Sequence, residues 1–382
     1  MDGDLRERAM AQIHSAVLSP EYVLYMSQGD LHKVWSKLID CKQYMHRQPS
    51  FRYGSYLETC TWEEMIRYYL RLADIASTLY CKEDLEWCYA NIITVSESLS
   101  PQMTDLYRSQ YYLALGQVSK ARSLLSGYSN PKGITKLFRK AVDLPSDVLA
   151  KAFLLKCKAF YLIDDYKSLG VTVLEFEKYL SSIQDGLKNY YDLYVEAYLY
   201  YANLLASDQS LKGNAEKATS IVNMLTGYIK TKGLSSKLSC LLLQTDVILA
   251  YNRGDFKRLS SILSFLSNSA QMSYGDGTLQ HAIIQIFFLA VQTKVYGMRY
   301  DREYHTSLKL FDDGIFTGRR VPWLNHYYAD SRSVKMWQDA DVQVRKKVFR
   351  EFEYYKNIVS WVQPFVIEKY KTDLKAELGL KY

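Results

Sequence analysis

The sequence predicts an all-α fold, a right-handed α-solenoid of about seven helical hairpins closed by a C-terminal capping helix. Three observations lead there. Only 7 Pro and 18 Gly interrupt 382 residues, so few positions oblige a helix to stop. Apolar residues recur at steps of three and four through the long segments, and no alternating β pattern persists. One turn pattern returns along the chain, and stretches that each bury one face between such turns must cover one another. At 48% hydrophobic content, a core large enough for that arrangement is available.

The turn is clearest in Gln28-Gly29-Asp30-Leu31-His32-Lys33-Val34 and in Arg253-Gly254-Asp255-Phe256-Lys257-Arg258-Leu259. Each has a Gly-Asp pair, an apolar residue, two polar residues and another apolar residue, followed by an apolar ladder (Val34, Leu38; Leu259, Leu263, Leu266). Such a stretch ends one helix and opens an antiparallel one. Gly takes the left-handed position past the helix end, Asp accepts the free N–H groups of the next helix, and the apolar residue staples the pair. Weaker copies are Lys82-Glu83-Asp84-Leu85, Leu115-Gly116-Gln117-Val118 with Ala121 and Leu125, and Ile163-Asp164-Asp165-Tyr166 with Leu169. Two more are Lys212-Gly213-Asn214-Ala215 with Ala218, and Gly297-Met298-Arg299-Tyr300. Positions 29, 83, 116, 164, 213, 254 and 298 are then separated by 54, 33, 48, 49, 41 and 44 residues, a rhythm of stacked hairpins in which Gly29, Gly116, Gly213 and Gly254 are the turn glycines.

The Tyr-x-x-Gly-Asp-Phe turn from Tyr251 to Leu259, echoed from Tyr112 to Ala121, resembles the turn of a tetratricopeptide repeat (TPR). Tyr128 and Pro131 fall where that family places its closing small residue and its proline. The rhythm covers most of residues 10 to 315. One gap matches the ~34-residue TPR period and the others approach the ~40 to 47 residues of longer two-helix repeats. The resemblance therefore implies a TPR-like solenoid with longer helices, over residues 1–315, whose groove docks segments of other proteins.

Helix faces support hairpins. Ala150, Phe153, Leu154, Cys157, Phe160 and Tyr161 lie on one stripe, as do Leu238, Leu241, Leu242, Thr245, Ile248 and Leu249. The 34 Tyr, about one residue in eleven, suit boundaries where a ring is buried and its hydroxyl reaches a polar neighbour. Loops are expected at Ser98–Thr104, Gly127–Gly133, Ser207–Gly213 and Ser269–Thr278. Residues 316–333 read as a connector, and 334–382 as a basic helix or helix pair, kinked at Pro364, that caps the stack.

No catalytic motif is legible: neither a phosphate-binding glycine loop, nor a nucleophile elbow, nor HExxH occurs. The six histidines form no i, i+4 pair, and Cys41, Cys60, Cys81, Cys88, Cys157 and Cys240 have no zinc-site spacing. A non-enzymatic protein without cofactor is expected, its thiols buried in a reducing compartment. The start of the chain lacks the apolar stretch of a secretory signal and is too acidic for a transit peptide. The longest apolar run, Ile283 to Val291, is interrupted by Gln285 and covers nine residues, whereas a membrane helix needs about 20. A cytoplasmic or nuclear location follows as the expectation.

Charge is uneven. The chain carries 48 Lys and Arg against 41 Asp and Glu. Residues 132–158 hold seven bases and two acids, and residues 319–382 hold thirteen bases and eight acids. In the second island Arg319, Arg320, Arg345, Lys346, Lys347 and Arg350 form a patch suited to an acidic partner or to phosphates. The sequence thus points to an interaction scaffold or adaptor subunit of a larger complex, with other protein subunits as partners. Two alternatives share its features. One is a proteasome-lid or signalosome-type subunit, though that family ends in a winged helix and no strand pair is legible before Tyr382. The other is a nucleic-acid-associated helical-repeat protein that uses the basic islands at 132–158 and 319–350.

Overall fold

The computed structural model describes residues 82–97, 100–128, 145–208, 212–232 and 236–274, with isolated helical positions at 66–76 and 288. Among the described residues every regular element is helical and no strand occurs, as the periodicity predicts. The helices are α1 (Lys82–Glu97), α2 (Pro101–Ala114), α3 (Val118–Leu125), α4 (Ser146–Leu162) and α5 (Tyr166–Ser181). They continue as α6 (Gly186–Asn189), α7 (Tyr191–Ser207), α8 (Lys212–Lys232), α9 (Ser236–Arg253) and α10 (Phe256–Tyr274). The turns at Gly29 and Met298, the connector and residues 334–382 lie outside the described residues.

Three turns share one hydrogen-bond pattern. Gly116 N–H donates to Leu113 O and Gln117 N–H to Tyr112 O; Asp164 donates to Tyr161 O and Asp165 to Phe160 O; Gly254 donates to Tyr251 O and Asp255 to Ala250 O. Residues 116, 164 and 254 have φ of 69°, 59° and 69°. These paired bonds, spanning five and three residues, are the Schellman closure of a helix, in which one residue turns left-handed. Asp165 and Asp255 then open the next helix, their Oδ1 atoms accepting from Ser168 N at 3.0 Å and Arg258 N at 3.1 Å. Because a β-branched residue enters the left-handed region only with strain, Gly254→Val should cost about 1 to 2 kcal/mol. A urea midpoint unchanged from the parent would contradict this account of the turn.

The turn before α8 is built differently from the expectation. Gly213 lies inside α8, in open space and without a positive φ, so it does not serve as the left-handed residue. Instead Asp208 leaves α7 in an extended conformation, and Asn214 Nδ2 donates to Asp208 Oδ2 at 2.9 Å. The position at 83 likewise falls within α1. Loop lengths differ too. Ser100 caps α2, accepting from Met103 N at 3.4 Å, and Pro101 occupies the first turn, where it sacrifices no helical bond. Helix α10 runs through Tyr274, so residues 269–274 are helical where a loop is expected. The short α6, entered through Asp185 at φ 53°, lengthens the connection between α5 and α7.

Packing runs between neighbours. Helix α1 packs on α2, and α2 pairs with α3, α4 with α5, α7 with α8 and α9 with α10. The first helices of successive pairs also touch, α2 on α4, α4 on α7 and α7 on α9. The second helix of each pair reaches the first of the next, α3 to α4, α5 to α7 and α8 to α9. Two buried positions recur: Ala121, Leu169, Ala218 and Leu259 five residues after 116, 164, 213 and 254, and Leu125, Val173, Val222 and Leu263 nine after. Even α8 keeps this register, although Gly213 is not a turn residue.

First helices are apolar on more than one side. Along α4, Val148, Ala152, Leu155 and Ala159 enter a core with α2 and α3, while Leu149, Phe153 and Cys157 enter a second with α5 and α7. Helix α7 buries almost its whole circumference, including Val195, Ala197, Leu199, Ala202 and Leu205. Small residues allow this closeness: a Cβ at Gly170 of α5 would lie 2.7 Å from the Tyr201 hydroxyl.

Candidate functional site

Of the residues singled out by charge, Arg319, Arg320, Arg345, Lys346, Lys347 and Arg350 lie outside the described residues, as do Lys132, Lys136, Arg139 and Lys140. The rest of the first island is on α4, where the helix divides it. Lys151 and Lys158, seven residues apart, share a face, whereas Lys156 is turned about 140° from Lys151. Lys156 is half-buried, with Nζ 5.9 Å from the centroid of the Phe153 ring. Burial lowers its pKa, opposed by the carboxylate of Glu175. The described bases of this island therefore do not form one phosphate-facing row.

Among the described residues no group of three or more His, Cys, Asp or Glu is placed to hold a metal ion, and no helix is long and apolar enough to cross a membrane. Cys88, Cys157 and Cys240 are buried. Burial pushes the Cys157 thiol far above its ordinary value, which keeps it protonated and a poor nucleophile.

Two side-chain systems centre on α7, and neither is marked by a motif. The first is a buried polar ladder across three first helices. Tyr161 of α4 donates to Asn203 Oδ1 at 3.2 Å, and Asn203 Nδ2 donates to Thr245 Oγ1 of α9 at 3.1 Å. Thr245 in turn donates to Leu241 O at 2.8 Å. Each interhelical step spans 42 residues, so equivalent positions of successive pairs are joined. That equal spacing is the signal a sequence search could have used. Beside the ladder, Tyr161 and Tyr200 stack at 4.7 Å, and Tyr200 donates to Glu196 Oε1 at 2.6 Å. Tyr161, Tyr200 and Glu196 thereby join α4 to α7 at half-buried positions, and on α4 Lys151 is exposed and Lys158 half-buried.

The second system faces α5 and α8. Tyr194, Tyr198 and Tyr201 follow one another at helical spacing along α7 and are buried. Tyr194 donates to Glu177 Oε1 at 3.3 Å and Tyr198 to Glu177 Oε2 at 2.7 Å. Burial and the neighbouring Glu177 carboxylate raise both phenol pKa values, so both remain donors at neutral pH. Tyr228 of α8 meets Tyr194 edge to face at 6.5 Å, and Lys217 Nζ lies 5.0 Å from the centroid of the Tyr201 ring. Tyr128, set by resemblance at the close of a repeat, is buried with its hydroxyl donating to Gln102 O at 2.9 Å, and burial with nearby Asp105 pushes its pKa up to about 12.

Comparison of the chain with protein-family models, with curated proteins and with solved structures finds no match.

Proposed function

We propose that the chain is a non-enzymatic docking scaffold, a TPR-like α-solenoid that holds segments of other proteins within a larger assembly. The observation that carries this reading is the repetition of one pairing rule: first helices α2, α4, α7 and α9 pack in series, each with its own second helix beside it. A series of this kind extends a surface by adding pairs, and extended surfaces receive helices or peptides without any catalytic group. The stacked rings of Tyr161 and Tyr200, with the Glu196 carboxylate beside Tyr200, support this reading, because aromatic rings beside a carboxylate suit polypeptide better than phosphate.

The basic patch near the C-terminus supplies a second contact for an acidic partner face. Affinity capture of the tagged full chain, with cross-linking and mass spectrometry, should return defined protein partners. Reversing Arg345, Lys346 and Arg350 to Glu should weaken that capture. Undiminished capture would remove the patch from the interface, and capture of nothing beyond background would overturn the scaffold reading. If nucleic acid is recovered instead, with affinity falling steeply as salt rises, phosphate binding is the function.

A further inference from the structure

Glu177 is half-buried on α5, and its two oxygens accept from the phenols of Tyr194 and Tyr198. Among the described residues no Lys, Arg or His forms an ion pair with it. A carboxylate withdrawn from water usually has a cationic neighbour, and neutral phenol donors orient this one without cancelling its charge. Its rim is apolar and accessible: Leu174, three residues earlier on α5, is 51% exposed and Tyr228 of α8 is 47% exposed. Such exposure of two large apolar side chains beside an unpaired anion is chemically complementary to a long side chain with an apolar stem and a cationic end.

We propose that the groove between α5 and α8, floored by Tyr194 and Tyr198 of α7, takes an arginine side chain from a partner protein. Its guanidinium lies against Glu177, and its stem packs on Leu174 and the Tyr228 ring. Arginine fits better than lysine, because each Glu177 oxygen already accepts one phenol and keeps lone pairs in the carboxylate plane, which a planar fork of donors matches. The exposed tyrosine ring adds a surface for the same cation. This groove belongs to the second helices of the pairs and is distinct from the first-helix face of α4 and α7. The inference rests on the docking reading above, since it assigns a kind of partner segment to one surface of that scaffold.

The test is calorimetric titration of the full chain with the peptide acetyl-Leu-Arg-Leu-amide, alongside its citrulline and lysine counterparts. The arginine peptide should bind saturably, with the citrulline peptide at least tenfold weaker and the lysine peptide between them. Glu177→Gln should weaken arginine-peptide binding at least tenfold and Tyr228→Ala severalfold, while Glu175→Gln, exposed on the same helix, should leave it unchanged. Should Glu177→Gln fail to fold, Tyr228→Ala carries the test, because Tyr228 is about half exposed and outside the buried core. Equal binding of the arginine and citrulline peptides overturns the proposal, as does parental binding by either groove variant. If the arginine peptide does not bind a chain that still captures protein partners, the groove assignment fails and the docking reading stands. If no partner is captured at all, the docking reading fails and the groove falls with it.

Discussion

Phe176→Ala is expected to lower the unfolding free energy by about 3 to 5 kcal/mol, the range for removing a fully buried aromatic ring. Phe176 is 1% exposed and is among the largest fully buried side chains. Its ring stacks on Phe153 of α4 at 5.4 Å with the planes 15° apart, and Phe153 also meets Tyr179 at 5.6 Å. Removing it opens a space between α4 and α5, two helices that both also pack on α7. Packed helices close such a space only partly, so the loss includes both the transfer of the ring and the cavity left behind. Phe176→Leu, which refills most of the volume, should cost much less. Urea unfolding followed by circular dichroism measures both variants, and an alanine variant within about 1 kcal/mol of the parent would show that the pair repacks freely.

Asn203→Ala should cost about 2 to 4 kcal/mol, because it deletes two hydrogen bonds inside the packed stack and leaves a cavity there. Asn203 is 4% exposed and Thr245 is fully buried, so water cannot readily replace the lost amide at the Thr245 end. Thr245 keeps its bond to Leu241 O, while the half-buried Tyr161 hydroxyl loses its acceptor. Replacing both inner members by apolar residues, Asn203→Leu with Thr245→Val, should recover most of the loss, since the cavity is refilled and only the half-buried Tyr161 hydroxyl then lacks its former acceptor. Urea midpoints for the single and double variants decide the matter. A double variant as unstable as the alanine variant would mean that the ladder contributes more than the satisfaction of its own polar atoms.

The turns were legible because they depend on a few consecutive residues. Gly254-Asp255 and Asp164-Asp165 state a left-handed position and a helix cap within two residues, and the structure builds the same hydrogen bonds at both. The apolar position five residues later was legible at all four turns, and the one nine later after Gly116 and Gly254, since spacing along a helix fixes which side chains share a face. Where a turn spans more residues, local identity misleads: Gly213 resembles a turn glycine, yet Asp208 ends the preceding helix and Gly213 is helical. The basic island at 132–158 was legible as composition, but composition carries no direction, and on α4 the helix turns Lys156 away from Lys151.

By itself the sequence determined that the described residues are helical, where several helices begin and end, and that the position five residues past each turn is buried. These follow from backbone preferences and short-range spacing. Only the tertiary structure decided that α4 and α7 are covered on more than one side, that Tyr161, Asn203 and Thr245 join three helices, and that Tyr194 and Tyr198 converge on Glu177. Those contacts link residues 17 to 42 positions apart. Their partners are chosen by how whole helices settle against one another, so the same tyrosine, read alone in the sequence, is equally a core ring or a hydrogen-bond donor.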